Sequence, residues 1–282
     1  MDYLAIINDA LELYLPESDD IVSQAMKYSI RNGGKRIRPM LVLEFCSACG
    51  GDYKKALPLA CAVEMIHTYS LIHDDLPCMD DDDYRRGKPS CHIAFGEANA
   101  LLAGDALLTL AFETALKADL TAESIVAATK ELAKASGVSG MVGGQVLDLQ
   151  NENKQLEVAD LEKIDNLKTG ELIRVSCVMG CIAAGADDKK IKAAEDYAKG
   201  IGLAFQIIDD ILDVTSDAET LGKPIGSDSD NQKSTYVSLL GVEESEKVAA
   251  QLTEKAKAAL DIFDEDTSAL KNLADSLQTR KK

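Results

Sequence analysis

Apolar residues recur at spacings of three and four along almost the whole chain, as Leu4, Ile7 and Leu11 show near its start. This period is typical of amphipathic α-helices, and the alternation that marks strands is hard to find. The helical pattern covers segments 2–15, 19–32, 36–49, 54–74, 97–117, 121–136, 138–150, 158–184, 188–216, 231–240, 244–262 and 267–279. Without a visible linker or repeat, the sequence predicts one all-α domain over residues 1–282, a single-domain helical bundle.

Composition and charge exclude several classes of protein. The 282 residues include 30 Lys plus Arg and 48 Asp plus Glu, a net charge of −18, and 46% are hydrophobic. This balance is typical of a soluble globular protein and not of a disordered one. No apolar run approaches the roughly 18 residues of a membrane span, and no secretory signal pattern is visible, so we expect a cytoplasmic protein. The negative charge argues against a nucleic-acid partner.

The seven cysteines fit the same expectation. Cys46 and Cys49 have the spacing of a zinc-binding pair, but no second such pair follows and no histidine stands at ligand spacing. Most of the cysteines lie in apolar, helix-like sequence. The sequence therefore predicts small buried thiols.

Two acidic clusters stand out, and the later one is the cleaner signal. Asp209 and Asp213 are four residues apart, which at about 100° per residue puts them on one helix face, with Asp210 beside them. Isoleucine and leucine surround them, so the face is partly buried and its like charges repel. A divalent cation would relieve that cost, and carboxylate oxygens favour a hard ion such as Mg²⁺.

The earlier cluster places six aspartates within residues 74–83. On an uninterrupted helix Asp74 and Asp80 would lie on different faces. Pro77 disfavours helical geometry at Leu76, so we expect the helix to end or distort there and Asp80 to return toward Asp74. Taken alone, the run fits a solvated acidic turn as well as it fits a site.

Basic residues complete the pattern of a phosphate ligand. Residues 33–39 set a glycine pair before a basic helix start, which is a workable anion cradle. Lys168, Lys223 and Lys233 are weaker candidates. Because nothing resembles a Walker loop or a dinucleotide fingerprint, the acidic and basic groups together suggest a ligand that carries a diphosphate.

These motifs occur in an order that resembles the trans-isoprenyl diphosphate synthases, and among them the bacterial farnesyl diphosphate synthases. The resemblance extends from about residue 25 to residue 280. The motifs that carry it are Gly33 to Pro39, Asp74 to Asp80, Arg85 to Gly87, Gly143 to Gln145 with Asp148, Lys168 to Gly170, Phe205 to Asp213, Leu221 to Lys223 and Lys233 to Tyr236. Each is short, but the ordered set is highly specific.

The resemblance implies a role for each residue of the set. Both aspartate motifs are implied to face a central cavity in the helical bundle, where about three Mg²⁺ ions bind the diphosphate of the allylic substrate. The implied metal ligands are Asp74, Asp80 and Asp209, supported by Asp75, Asp210 and Asp213. The implied contacts of the allylic diphosphate are Arg85, Lys168, Lys223 and Lys233. Those of the isopentenyl diphosphate are Lys35, Arg38, His67 and Arg86.

In the implied reaction, an allylic diphosphate ionises and the double bond of isopentenyl diphosphate adds to the resulting cation. The addition product then loses a proton to the departed diphosphate. Lys168, Thr169 and Gln206 are implied to steady the cation, and no protein nucleophile is needed. A homodimer is compatible with the exposed Leu and Ala stripes.

Product length is implied to depend on the helix that precedes Asp74. Tyr69 is bulky and would block a growing chain, and Ser70 beside it is small, so we expect farnesyl diphosphate made from dimethylallyl and geranyl diphosphate. A geranylgeranyl diphosphate synthase stays open as the alternative.

Two other kinds of protein fit the sequence less well. Terpene cyclases generally lack the second diphosphate site, for which Lys35, Arg38 and Arg86 are candidates here. A catalytically silent subunit would be expected to lose one aspartate motif, whereas this chain retains both.

Overall fold

The computed structural model describes residues 3–152, 154–215 and 234–279, and almost all regular structure in them is helical. The helices are α1 (Tyr3–Tyr14), α2 (Ile21–Arg31), α3 (Ile37–Ala48), α4 (Tyr53–Asp74), α5 (Cys91–Phe95), α6 (Glu97–Ala115), α7 (Ala122–Ser136), α8 (Met141–Asn151), α9 (Val158–Asp165), α10 (Glu171–Ala183), α11 (Asp188–Thr215), α12 (Tyr236–Leu240), α13 (Val242–Ala259) and α14 (Ser268–Thr279). A π-helical turn, Asn166–Gly170, joins α9 to α10, and a 3₁₀ turn, Leu260–Ile262, follows α13. The predicted all-α class is confirmed.

The chain divides into two compact units. The first comprises Met1–Leu43 and Asp52–Thr129, and the second comprises Glu44–Gly51 and Lys130–Lys282. The prediction of one domain over residues 1–282 stays a prediction.

The first unit is organised around α4. This helix is apolar on nearly every side, with residues from Ala56 to Ile72 buried, as expected for a helix that neighbours surround. It packs against α6 through small and branched side chains at Ala100, Ala103, Leu107 and Ala111, which recur at three and four residues and are fully buried. The small residues let the two helices approach closely and fix the end of α4, where the first aspartate cluster begins.

The second unit is organised around α11, the 28-residue helix that carries the later aspartate cluster. Helices α10 and α13 pack along it. Tyr197 is fully buried on α11, and its hydroxyl donates a hydrogen bond to the carbonyl of Leu270 at 2.7 Å. This bond ties α14 to the core helix.

Two features differ from the sequence prediction. The predicted helix 158–184 is divided by the π-helical turn, and a small hairpin with strands β1 (Tyr84–Arg85) and β2 (Lys88–Pro89) precedes the short helix α5. Strands of two residues are too short for alternation to reveal. The predicted segment 231–240 is described only from residue 234 onward, within which α12 is helical. Among the described residues no helix is both long and apolar enough to cross a membrane.

Candidate active site

The first aspartate motif folds back on itself as the proline predicts. Helix α4 ends at Asp74, and the chain turns through Leu76 to residue 80. The backbone N–H of Asp80 donates to the carbonyl of Asp74 at 2.9 Å, and the N–H of Asp81 donates to the carbonyl of Leu76 at 3.2 Å. Asp74 is half-buried and Asp80 is exposed. The predicted end of the helix and return of the chain are confirmed.

Asp75 has a different environment from its neighbour Asp74. It is buried, and its Oδ1 accepts a hydrogen bond from Nε of Arg85 at 2.8 Å as well as a second, shorter bond from the same guanidinium. Burial raises the pKa of the Asp75 carboxyl, although the guanidinium opposes that shift. Asp82 accepts a further bond from Arg85 at 3.2 Å. Asp75 therefore holds Arg85 in place, and its support of a metal stays a prediction.

Arg36 differs from the other arginines of the basic segment because it forms a buried ion pair. Its Nη1 lies 2.6 Å from Oε1 of Glu64, and both side chains are at most 3% exposed. Nε of Arg36 also donates to Asn8 at 3.1 Å, and Nη2 donates to the carbonyl of Ile30. Because Arg36 is fully paired inside the protein, it acts as an anchor for the segment and not as a ligand contact.

Arg38, His67 and Arg86 form a basic cluster. Nε of Arg38 is buried without a hydrogen-bond partner among the described residues, a costly arrangement unless a ligand completes it. Burial, together with the nearby arginines, lowers the pKa of His67 well below its usual value, and burial also lowers the pKa of Arg38 and of Arg86. Such an excess of positive charge suits an anion. Lys35 is exposed in the same segment.

The second unit places Lys168 in the π-helical turn. Its Nζ lies 2.7 Å from Oδ2 of Asp148 on α8. A Cβ at Gly144 would lie 2.2 Å from the backbone nitrogen of Lys168, so only glycine lets α8 approach the turn this closely. Single π-turns often mark functional sites. The glycine motif on α8 and the lysine motif in the π-helical turn are thus in direct contact.

Lys168 and Thr169 line a cavity of about 180 Å³ together with Gln206 and Asp210. Asp209, Asp210 and Asp213 are all half-buried on α11. Oδ2 of Asp210 accepts a hydrogen bond from the backbone N–H of Tyr236 at 2.7 Å, at the start of α12. Asp210 therefore has a structural partner. Lys223 and Lys233 lie outside the described residues.

Sequence reasoning missed two carboxylates. Asp165 lines the same cavity, and burial with the nearby Asp148 raises the pKa of Asp165 to about 7. It is the last residue of α9, in an ordinary polar stretch of sequence that carries no signal of burial. Glu64 had a signal, because a lone charge within the apolar run of α4 needs a buried partner.

Tyr69 and Ser70 lie on α4 above the first aspartate motif. Tyr69 is buried, and burial raises its pKa to about 12. Its ring meets the ring of His73 edge to face, with centroids 5.6 Å apart. The hydroxyl of the half-buried Ser70 donates to the carbonyl of His67 at 2.9 Å. Tyr69 is therefore held in one orientation by its neighbours on the helix.

The predicted metal ligands fit Mg²⁺ that is shared with a ligand. Within the described ranges, no group of three or more His, Cys, Asp or Glu side chains is placed to hold a metal ion alone. Asp74 and Asp80 offer carboxylate oxygens in the first unit, and Asp209 offers them in the second. Mg²⁺ commonly takes one or two carboxylates and completes its shell with phosphate oxygens and waters. The donors therefore suit Mg²⁺ that binds together with a diphosphate.

Comparisons with known proteins agree with this geometry. The family described as polyprenyl synthetase matches residues 19–273. The chain is 47% identical over 281 residues to a farnesyl diphosphate synthase of Micrococcus luteus, covering 100% of this chain and 97% of that one. It is also 47% identical over 280 residues to a geranylgeranyl diphosphate synthase of Cyanophora paradoxa, covering 98% and 93%.

The fold is shared with solved structures as well. A geranylgeranyl pyrophosphate synthetase of Pyrococcus horikoshii matches with a TM-score of 0.91 and 31% identity, covering 99% of this chain and 96% of that one. The predicted fold type is confirmed. The relatives are named for two different products, so the similarity does not separate a fifteen-carbon from a twenty-carbon product.

Proposed function

We infer that this chain, which belongs to the polyprenyl synthetase family and is a prenyltransferase, makes (2E,6E)-farnesyl diphosphate. The proposed reaction condenses isopentenyl diphosphate with dimethylallyl diphosphate and then with geranyl diphosphate. The observation that carries it is the basic cluster of Arg38, His67 and Arg86, whose surplus charge and buried, unpartnered Nε call for an anion. A terpene cyclase has no need of this second diphosphate site.

We assign the basic cluster to isopentenyl diphosphate, with Lys35 as a further contact. Binding the diphosphate would give Nε of Arg38 its missing acceptor and offset the charge that the arginines place around His67. The imidazole of His67 donates one hydrogen bond to the diphosphate. Charge-assisted bonds of this kind are about twice as strong as neutral ones.

We assign the allylic diphosphate to Lys168, Arg85, Lys223 and Lys233, with Mg²⁺ held by Asp74, Asp80 and Asp209. When bound there, Mg²⁺ supplies positive charge that stabilises the departing diphosphate. Lys168 is oriented by Asp148, and Arg85 is oriented by Asp75. Both cations are thereby fixed before the charge on the leaving group develops.

The remaining steps need dipoles and an apolar site more than they need an acid or a base. Thr169 and Gln206 line the cavity beside Lys168. We propose that their side-chain dipoles stabilise the developing allylic cation. The double bond of isopentenyl diphosphate adds to that cation, and a proton leaves for the released diphosphate. No protein nucleophile takes part.

Tyr69 supports the fifteen-carbon product. It is bulky, buried and held against His73 on the helix that leads to Asp74, so it would stop chain growth after two additions, while the small Ser70 leaves space beside it. Geranylgeranyl diphosphate is the second candidate, because a relative named for that product is equally similar.

The test is to incubate the protein with Mg²⁺, dimethylallyl diphosphate and labelled isopentenyl diphosphate, and to size the products. We expect a fifteen-carbon chain. A twenty-carbon chain would contradict the product assignment, and no elongation, or elongation that a chelator leaves unchanged, would contradict the function. We also propose that the protein is a homodimer, and light scattering tests this by measuring its molar mass in solution. We propose a cytoplasmic location as well.

A further inference from the structure

The hairpin β1–β2 presents Arg86 at its tip in an unusual backbone conformation. Strand Tyr84–Arg85 pairs with Lys88–Pro89, which leaves Arg86 and Gly87 as the two turn residues. Both have positive φ angles, 55° and 76°. Such a turn favours Asn, Asp or Gly at its first position, and a long side chain is strained there. Strain of this kind persists only where surrounding structure holds it, and it clusters at functional sites.

The guanidinium of Arg86 is fixed against the glycine pair that precedes the basic segment. Nη1 of Arg86 donates to the carbonyl of Gly33. A Cβ at Gly34 would lie 2.7 Å from the same nitrogen, so the guanidinium occupies the space that any other residue would need. Arg86 thereby reaches the basic cluster although its own backbone lies in the hairpin.

Helix α2 holds both strands of the hairpin. Nδ2 of Asn32, at the end of α2, donates to the carbonyl of Arg85 at 3.0 Å. One turn earlier, the hydroxyl of Tyr28 donates to the carbonyl of Pro89 at 2.7 Å. The ring of Tyr28 also meets Phe95 edge to face, with centroids 5.3 Å apart. The two donors therefore hold one strand each, on either side of the strained turn.

We propose that Asn32 and Tyr28 are positioning residues that hold the β1–β2 hairpin so that Arg86 meets the diphosphate of isopentenyl diphosphate. The inference rests on the proposed function, since it takes Arg86 as a contact of that substrate. Neither residue touches the substrate in this scheme. Their effect passes through the carbonyls of Arg85 and Pro89 to the turn between them.

The two substrates respond differently in this scheme. The side chain of Arg85 is held independently by Asp75. Loosening the hairpin therefore releases Arg86 more than it releases Arg85. We expect the KM for isopentenyl diphosphate to rise while the KM for the allylic substrate and kcat stay nearly unchanged.

The experiment compares Asn32→Ala and Tyr28→Phe with the wild-type enzyme, each alone and combined with Arg86→Ala. Each single change is expected to raise the KM for isopentenyl diphosphate about three- to tenfold, the effect of losing one hydrogen bond. In the Arg86→Ala background neither change should have a further effect on that KM, because its target is already gone. The matched control is Gln24→Ala, which removes an amide bond to the carbonyl of Asp19 at the other end of α2.

The outcomes separate this inference from the proposed function. A wild-type enzyme that does not elongate would contradict the function and, with it, the role of Arg86. A wild-type enzyme that elongates, with variants that keep its KM, lose only kcat or act additively with Arg86→Ala, would contradict this inference alone. Tyr28→Phe keeps the aromatic ring, so it decides the matter if Asn32→Ala does not fold.

Discussion

The N–H of Asp80 donates to the carbonyl of Asp74 at 2.9 Å, which brings the two ends of the first aspartate motif together although they are six positions apart in the sequence. We expect Asp80→Asn to raise the Mg²⁺ concentration for half-maximal turnover by at least about tenfold, because a neutral amide binds Mg²⁺ poorly. The measurement is a Mg²⁺ titration of the elongation rate.

The neighbouring Asp81 gives the matched control. It is also exposed and acidic, but its φ of 52° is tolerated by asparagine, so Asp81→Asn changes charge with little strain. We expect it to change the Mg²⁺ requirement by less than about twofold, as screened surface charges do. Equal effects of the two substitutions would show that the run acts as a diffuse acidic surface.

The binding of isopentenyl diphosphate should take up a proton at His67. Burial and the adjacent Arg38 lower the pKa of His67 well below its usual value, so the imidazole is neutral in the free protein. A bound diphosphate offsets the arginine charge and raises that pKa. Between the free and the bound pKa, binding therefore takes up a proton and strengthens as the pH falls.

Calorimetry in two buffers of different ionisation enthalpy measures this uptake directly. His67→Gln keeps a hydrogen-bonding side chain but has no titrating group, so it should abolish the part of the uptake that His67 contributes. Identical proton uptake in the wild-type and variant proteins would assign the proton to the diphosphate itself.

Removal of one partner from the buried ion pair of Arg36 and Glu64 should strongly destabilise the first unit. Glu64→Gln leaves a buried guanidinium without its counter-charge, which costs about 3–5 kcal/mol in the free energy of unfolding. Arg31 and Glu12 form a pair of the same 2.6 Å length, but their side chains are about half exposed. Glu12→Gln should therefore cost no more than about 1 kcal/mol. Urea denaturation measures both, and equal losses would contradict the assigned burial.

The sequence predicted the helical elements well because their signal is local. The three- and four-residue period of α4 and α11 is visible in any window, and Pro77 marks the end of α4. Each motif that carries the family resemblance also spans only a few residues of the chain. Spacing on one helix was enough to group Asp209 with Asp213.

The tertiary contacts could not be predicted from the sequence because each one joins residues that are distant along the chain. The pairing of Asp75 with Arg85 and of Lys168 with Asp148 depends on how segments pack, and no local period records it. The same is true of Asn32, whose amide finds a carbonyl 53 residues away. The hairpin was missed since its strands are only two residues long.

Asp165 should make the second unit less stable as the pH rises. Its pKa is about 7 in the folded protein, against a usual value of 3.8, so the folded state binds the extra proton between these values. The free energy of unfolding therefore falls as the pH increases from about 4 to about 7. Asp165→Asn mimics the protonated form and should be more stable than the wild type by about 1–3 kcal/mol at pH 8, but not at pH 4.

Denaturation at the two pH values tests this linkage, with Asp160→Asn as the control. Asp160 is exposed on the same helix, α9, so its substitution should leave the pH dependence unchanged. A constant difference between Asp165→Asn and the wild type at both pH values would mean that the substitution acts through packing and not through the proton.

Replacing Tyr69 should lengthen the product. The ring is buried and held by His73, so Tyr69→Ala opens space where the growing chain is proposed to end, and twenty-carbon or longer products should replace much of the fifteen-carbon product. Tyr53→Ala is the control, because it removes a tyrosine of the same helix that packs edge to face on Tyr3, with centroids 5.4 Å apart, far from Asp74 along α4. Product chromatography after full conversion of limiting allylic substrate gives the chain-length ratio. A ratio that Tyr69→Ala leaves unchanged would mean that the tyrosine only fills the core and that another side chain limits growth.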